Sequence, residues 1–100
     1  MSGGFVIMVD FRLRPGAEAA FGALVGENAR SSVRDEPGCR RFDVVVPQGD
    51  HSRVLLYEIY DSEAAFDDHC RTTHFVQFDR QSAPFVEKKE IIRGDLICEG

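Results

Sequence analysis

Residues 5 to 13 read FVIMVDFRL, with Phe5, Ile7, Val9, Phe11 and Leu13 on one side of an alternating pattern and Val6, Met8, Asp10 and Arg12 on the other. Alternation predicts a strand with one fully buried face. Pro15-Gly16 ends it and opens a helix over residues 16 to about 35. At about 100° per residue, Ala17, Phe21, Leu24 and Val25 point in one direction, with Asn28 in the middle of the stripe and Ser31 and Ser32 beside it. Glu36-Pro37-Gly38 breaks the helix. Residues 39–47 and 53–60 follow as strands, joined by a Pro47-Gln48-Gly49-Asp50 turn.

Strand 53–60, RVLLYEIY, puts Val54 and Leu56 on one face and Leu55, Tyr57 and Ile59 on the other, so apart from Glu58 it is apolar on both sides and both need covering. Asp61 or Ser62 caps a short helix over 62–70, with His69 projecting between Ala65 and Phe66. Thr72 or Thr73 caps a further helix to about Ala83, with Phe75 and Phe78 inside and His74 on the edge of their stripe. Pro84 closes it, and residues 87–98 form the last strand. The order β-α-β-β-α-β is the ferredoxin-like α+β pattern, a four-stranded antiparallel sheet with helices on one face. Helices on one side leave the other face open, and a second copy of the sheet is the simplest cover, which predicts a homodimer.

One hundred residues make a single domain, 1–100, too small for a large core. Net charge is -5 and no basic stripe occurs, which argues against a nucleic-acid partner. No apolar run reaches membrane-spanning length, so no membrane partner is expected. No basic region precedes the first apolar run, and Asp10 interrupts it, so it reads as a strand and not a signal peptide. Cys39, Cys70 and Cys98 lack CxxC spacing and read as reduced thiols of a cytoplasmic protein.

Two stretches carry a resemblance. EPGCRRFDV gives EPGC-x-x-F-x-V, and LYEIYDSEAAFDDHCRTTHF gives LYE-x-Y-x(5)-F-x-x-H-x(4)-HF. With the element order, these resemble the antibiotic-biosynthesis-monooxygenase-like family of dimeric α+β barrels, from about Phe5 to Ile92. That family includes cofactor-free monooxygenases of quinols and anthrones, haem-degrading enzymes, and an isomerase of a phosphorylated pentanedione from quorum-signal breakdown. The isomerase branch carries a histidine directly after the helix asparagine, where this chain has Ala29. The haem-degrading branch uses a pocket tryptophan, and this chain has none.

Asn28 is the clearest polar exception on an apolar helix face. It is either bonded to strand backbone or a donor to a substrate carbonyl or enolate. His69 and His74 are the base candidates, His69 first, because the resemblance implies that its position faces the pocket, and both are expected to point with Asn28 into one pocket between helices and sheet. Phe42, Phe66, Phe75 and Phe78 are either core or the walls of an apolar pocket, with Ser32 near Asn28. Tyr57 and Tyr60 lie on opposite faces of one strand, one toward the pocket and the other toward the subunit interface. Arg41, like Arg34 and Arg53, is available for an anionic group or for Glu58. The spacing of His69 and His74 is unlike that of HExxH, and no Gly-rich nucleotide loop follows a strand, so neither metal nor cofactor is expected. The function expected is a cofactor-independent monooxygenase of a small electron-rich aromatic, with O2 as the second substrate. The alternatives are the phosphorylated hydroxy-diketone isomerase and a non-catalytic ligand-binding dimer.

Overall fold

The structure, a computed structural model, describes residues 3–100. Its elements are β1 (Phe5–Leu13), α1 (Glu18–Asp35), β2 (Cys39–Val45), β3 (Arg53–Tyr60), α2 (Glu63–His69), α3 (Thr73–Ser82) and β4 (Val86–Asp95), with a short 3-10 turn, Ala83–Phe85, before β4. The four strands form one antiparallel sheet in the order β2-β3-β1-β4. This is the ferredoxin-like α+β arrangement.

Some boundaries are shorter than the sequence pattern suggests. Helix α1 starts at Glu18, because Gly16 adopts φ +82° and belongs to the turn. Strand β2 ends at Val45, two residues before Pro47. Strand β4 ends at Asp95, where it pairs with Phe5 at the start of β1. Ser62 caps α2 by accepting a bond from the Ala65 N–H, and Thr72 caps α3 by accepting one from the Phe75 N–H.

The core lies between the sheet and the helices. Ile7, Val9, Phe11 and Leu13 of β1 and Val54, Leu56 and Tyr60 of β3 pack against Phe21 and Val25 of α1 and Phe78 of α3. Phe21 and Phe78 meet Phe11 edge-on, with ring centroids 4.9 and 6.3 Å away. Gly38 sets the position of α2. A Cβ on it would lie 2.7 Å from the Ala65 Cβ, so only glycine lets α2 sit this close to the start of β2.

Among the described residues, no helix covers the sheet's other face. Met8, Leu55, Tyr57, Val45 and Ile92 lie there, and Ile92 is 57% exposed. A lateral ion pair, Arg53 Nη2 to Asp10 Oδ2 at 2.7 Å, spans the same side.

Candidate active site

Three local features bring the polar groups together. Asn28, Ser32 and Glu36 follow one another at four-residue steps along α1 and past its end. Pro37 disfavours helical backbone at the preceding residue, and Glu36 is extended, at φ -101° and ψ 114°. The Glu36 N–H still bonds to the Ser32 carbonyl at 3.0 Å, so the residue is anchored to the helix it leaves. His69 is the last residue of α2, and His74 lies in the first turn of α3.

A single carboxylate oxygen, Glu36 Oε2, lies 2.8 Å from His69 Nδ1 and 2.5 Å from His74 Nε2. His69 is 1% exposed. Its ring sits among Phe42, Tyr60, Phe66 and Phe75, with the Phe75 centroid 5.0 Å away and Phe66 stacked at 6.0 Å. Ser32 Oγ donates to the Asn28 carbonyl at 2.7 Å and lies 3.4 Å from His69 Nδ1. A neutral imidazole bonding to a carboxylate through Nδ1 carries its proton there, which leaves Nε2 as the basic nitrogen. Burial pulls the His69 pKa below the ordinary histidine value, and the Glu36 carboxylate opposes part of that fall.

His69 lines a cavity of about 230 Å³ between sheet and helices. Phe42, Phe66, Phe75 and Phe78 wall it, and Asn28, Glu58 and Lys89 supply its polar groups along with His69. Asn28 is 3% exposed, and its Oδ1 is buried with no hydrogen-bond partner among the described residues. Such a group costs about 1–3 kcal/mol unless something meets it. The backbone-bonded reading of Asn28 therefore does not account for that oxygen.

His74 does not line this cavity. It faces an adjoining polar groove of about 300 Å³ with Asn28, Ser31, Arg34 and Asp35. The sequence reading placed Asn28, His69 and His74 in one pocket. Here Asn28 touches both spaces, His69 the inner one and His74 the outer one, and Glu36 joins the histidines. Tyr60 is fully buried behind the cavity and donates to Glu58. Tyr57 and Arg41 stand apart. Arg41 pairs across the sheet with Ile59, and Tyr57 with Asp43, on the face away from the helices. Arg41 is also held by Asp43 at 2.8 Å. Strand parity removes both from the cavity.

Glu36 and Glu58 were missed as site residues. Glu36 continues the Asn28–Ser32 spacing past the helix break, and Glu58 shares strand parity with Val54, Leu56 and Tyr60. Glu58 is 3% exposed, and burial pushes its carboxyl up to about 7, against the hydrogen bond from Tyr60.

Glu36, His69 and His74 offer three donor atoms within 4.8 Å of one another, a set that suits a divalent metal. In this arrangement the carboxylate oxygen already engages both imidazole nitrogens. The thiols of Cys39 and Cys70 are poor nucleophiles. Burial raises Cys70, which lines the cavity, and pushes Cys39 up to about 12.

No helix among the described residues is long and apolar enough to cross a membrane. Comparison with known proteins matches residues 4–81 to the family described as Antibiotic biosynthesis monooxygenase. "Putative monooxygenase Rv0793" of Mycobacterium tuberculosis is 30% identical over 81 residues, covering 81% of this chain and 78% of that protein. A Bacteroides thetaiotaomicron structure described as a putative antibiotic biosynthesis monooxygenase superposes with a TM-score of 0.90 at 26% identity, over 97% of this chain and 92% of that one. A Nitrosomonas europaea protein of the same description shares the fold, with a TM-score of 0.90 at 24% identity, covering 94% and 99% of the two chains. The match over most of the chain, the relatives and the shared fold make this protein a member of the antibiotic biosynthesis monooxygenase family.

Proposed function

We propose that this protein is a cofactor-independent monooxygenase of a small electron-rich aromatic, a quinol or anthrone, with O2 as co-substrate. The observation that carries the reading is the Glu36–His69 pair set into the wall of an aromatic cavity. His69 Nε2 removes a phenolic or activated C–H proton, and Glu36 stabilises the imidazolium that results. The Asn28 amide meets the substrate oxygen on which the anion's charge gathers. The apolar walls keep water out while the anion reduces O2.

The overall reaction balances without an added reductant. An activated CH2 and O2 give a carbonyl and water. Carbon loses four electrons and O2 gains four, one oxygen atom entering the product and the other leaving as water. The isomerase alternative calls for basic residues gathered at the mouth. Lys89 is the one cation among the described residues that line the cavity; Arg34, in the adjoining groove, is paired with Asp35, and Arg12, Arg40, Arg41 and Arg53 are each paired with a carboxylate elsewhere. We further propose that the protein works as a homodimer joined through the uncovered sheet face, in the cytoplasm.

The test is oxygen uptake by the purified protein with a small quinol or an anthrone and no added cofactor, beside anaerobic incubation with a phosphorylated hydroxy-diketone. Oxygen-dependent product supports the reading. Turnover of the diketone without oxygen overturns it, and binding of either compound without turnover leaves a ligand-binding dimer.

A further inference from the structure

We infer that Glu58 is a second catalytic residue, the acid that protonates the departing oxygen when the O–O bond breaks. The inference rests on the function proposed above.

Glu58 is an acidic side chain at a core position of β3. Its cross-strand partners are Ile7 on β1 and Phe42 on β2, both apolar and both walls of the same cavity. Tyr60, two residues along the same face, donates its hydroxyl to Glu58 Oε1 at 2.6 Å. That contact pins one carboxyl oxygen and leaves Oε2 for the cavity that His69 and Asn28 also line. Burial of a carboxyl with a single donor and, among the described residues, no bonded cation favours its protonated form. The groups around it agree. On β4 Lys89 favours the carboxylate, while Glu36 beyond α1 disfavours it. His69 of α2 and Cys70 just past its end, which share the cavity, and Cys39 of β2 bear no charge near neutral pH. A protonated Glu58 accepts from Tyr60 at Oε1 and donates from Oε2.

The proposed reaction needs such a donor. After His69 has taken the first C–H proton and the carbanion has added O2 to form the C–O bond, His69 returns that proton to the peroxide, and the intermediate is a hydroperoxide. Removal of the second C–H proton by His69 leaves an electron pair that closes the carbonyl and expels the O–O pair onto the distal oxygen. That oxygen leaves as water only with a proton, and Glu58 supplies it. The two protons taken from carbon equal the two carried off in water. Glu58 regains its proton from the one that His69 collected, and both groups return to their starting state.

The test compares wild type with Glu58→Gln, which keeps an acceptor for Tyr60 and cannot donate as an acid. Three readouts are taken with an anthrone. Anaerobic ionisation of the bound compound, followed by its absorbance, should persist in Glu58→Gln because His69 performs it. Aerobic kcat should fall by ~10²–10⁴. Infrared difference spectra between the two proteins should show a protonated-carboxyl band at pH 6 that fades as pH rises past neutrality. An active wild type with unchanged kcat in Glu58→Gln, or with no protonated-carboxyl band, overturns the assignment of Glu58 alone. A wild type that ionises the anthrone but takes up no oxygen overturns the monooxygenase reading, and the role of Glu58 falls with it.

Discussion

Glu36 Oε2 accepts from His69 and His74 at once, so one carboxylate holds the base at the cavity and the histidine at the outer groove. Removing the base should therefore affect both rate and fold. His69→Ala is expected to lower turnover by ~10²–10⁴ and stability by about 1–3 kcal/mol, since a buried bonded imidazole is lost. Turnover per folded molecule, measured with thermal melting, checks both. Normal turnover by the folded fraction would move the base elsewhere.

Glu36→Gln keeps an acceptor at Nδ1 and removes the charge. The Glu36 carboxylate opposes the fall of the His69 pKa, so its loss should push that pKa lower still. Proton NMR titration of the ring resonances reads this directly. Turnover should drop at least about ten-fold, because the imidazolium formed on proton abstraction is no longer balanced.

The pH dependence of stability isolates Glu58. Between pH 4.5 and about 7 the unfolded carboxyl is ionised and the folded one is protonated. The folded state holds the extra proton, so stability falls as pH rises through this window, by up to about 3 kcal/mol, and is flat above it. His69 acts in the opposite sense. Its lowered pKa removes stability as pH falls through the unfolded histidine value. Urea denaturation across pH should show that Glu58→Gln loses the first dependence and keeps the second.

The uncovered sheet face predicts a dimer at micromolar concentration. Ile92→Asp, at the most exposed large apolar side chain of that face, should shift light-scattering mass toward monomer. A wild-type monomer would count against the homodimer.

The purified protein is expected to hold no stoichiometric metal. Glu36, His69 and His74 engage one another in pairs through one oxygen, and elemental analysis before and after chelation is the check. A tightly held divalent ion at one per chain would assign the triad to metal binding.

Periodicity and turn chemistry account for most of what the sequence revealed. The alternation in β1 and β3, the break at Pro37-Gly38 and the caps at Ser62 and Thr72 are local signals, and each reappears in the fold. Asn28 and His69 were legible because they interrupt apolar stripes. Glu36 was not, because it follows the last helical residue and its role depends on the extended backbone that Pro37 imposes. Glu58 carried a visible signal, a charge at a core-parity position, but its meaning depends on Tyr60 and on the cavity beyond it. Strand parity sets Arg41 apart from the cavity and gives Tyr57 the side that alternation left to one of the two tyrosines. In a sheet, one step along the strand reverses the direction of the side chain.

That reversal gives β3 two readerships. Leu56, Glu58 and Tyr60 address the chemistry, while Leu55, Tyr57 and Ile59 address whatever lies across the sheet. The two alphabets are interleaved letter by letter on one backbone. A deletion of a single residue within the strand would transpose them, offering an acid to the neighbour and a leucine to the substrate. Side-chain replacements, by contrast, can rewrite one message and leave the other intact.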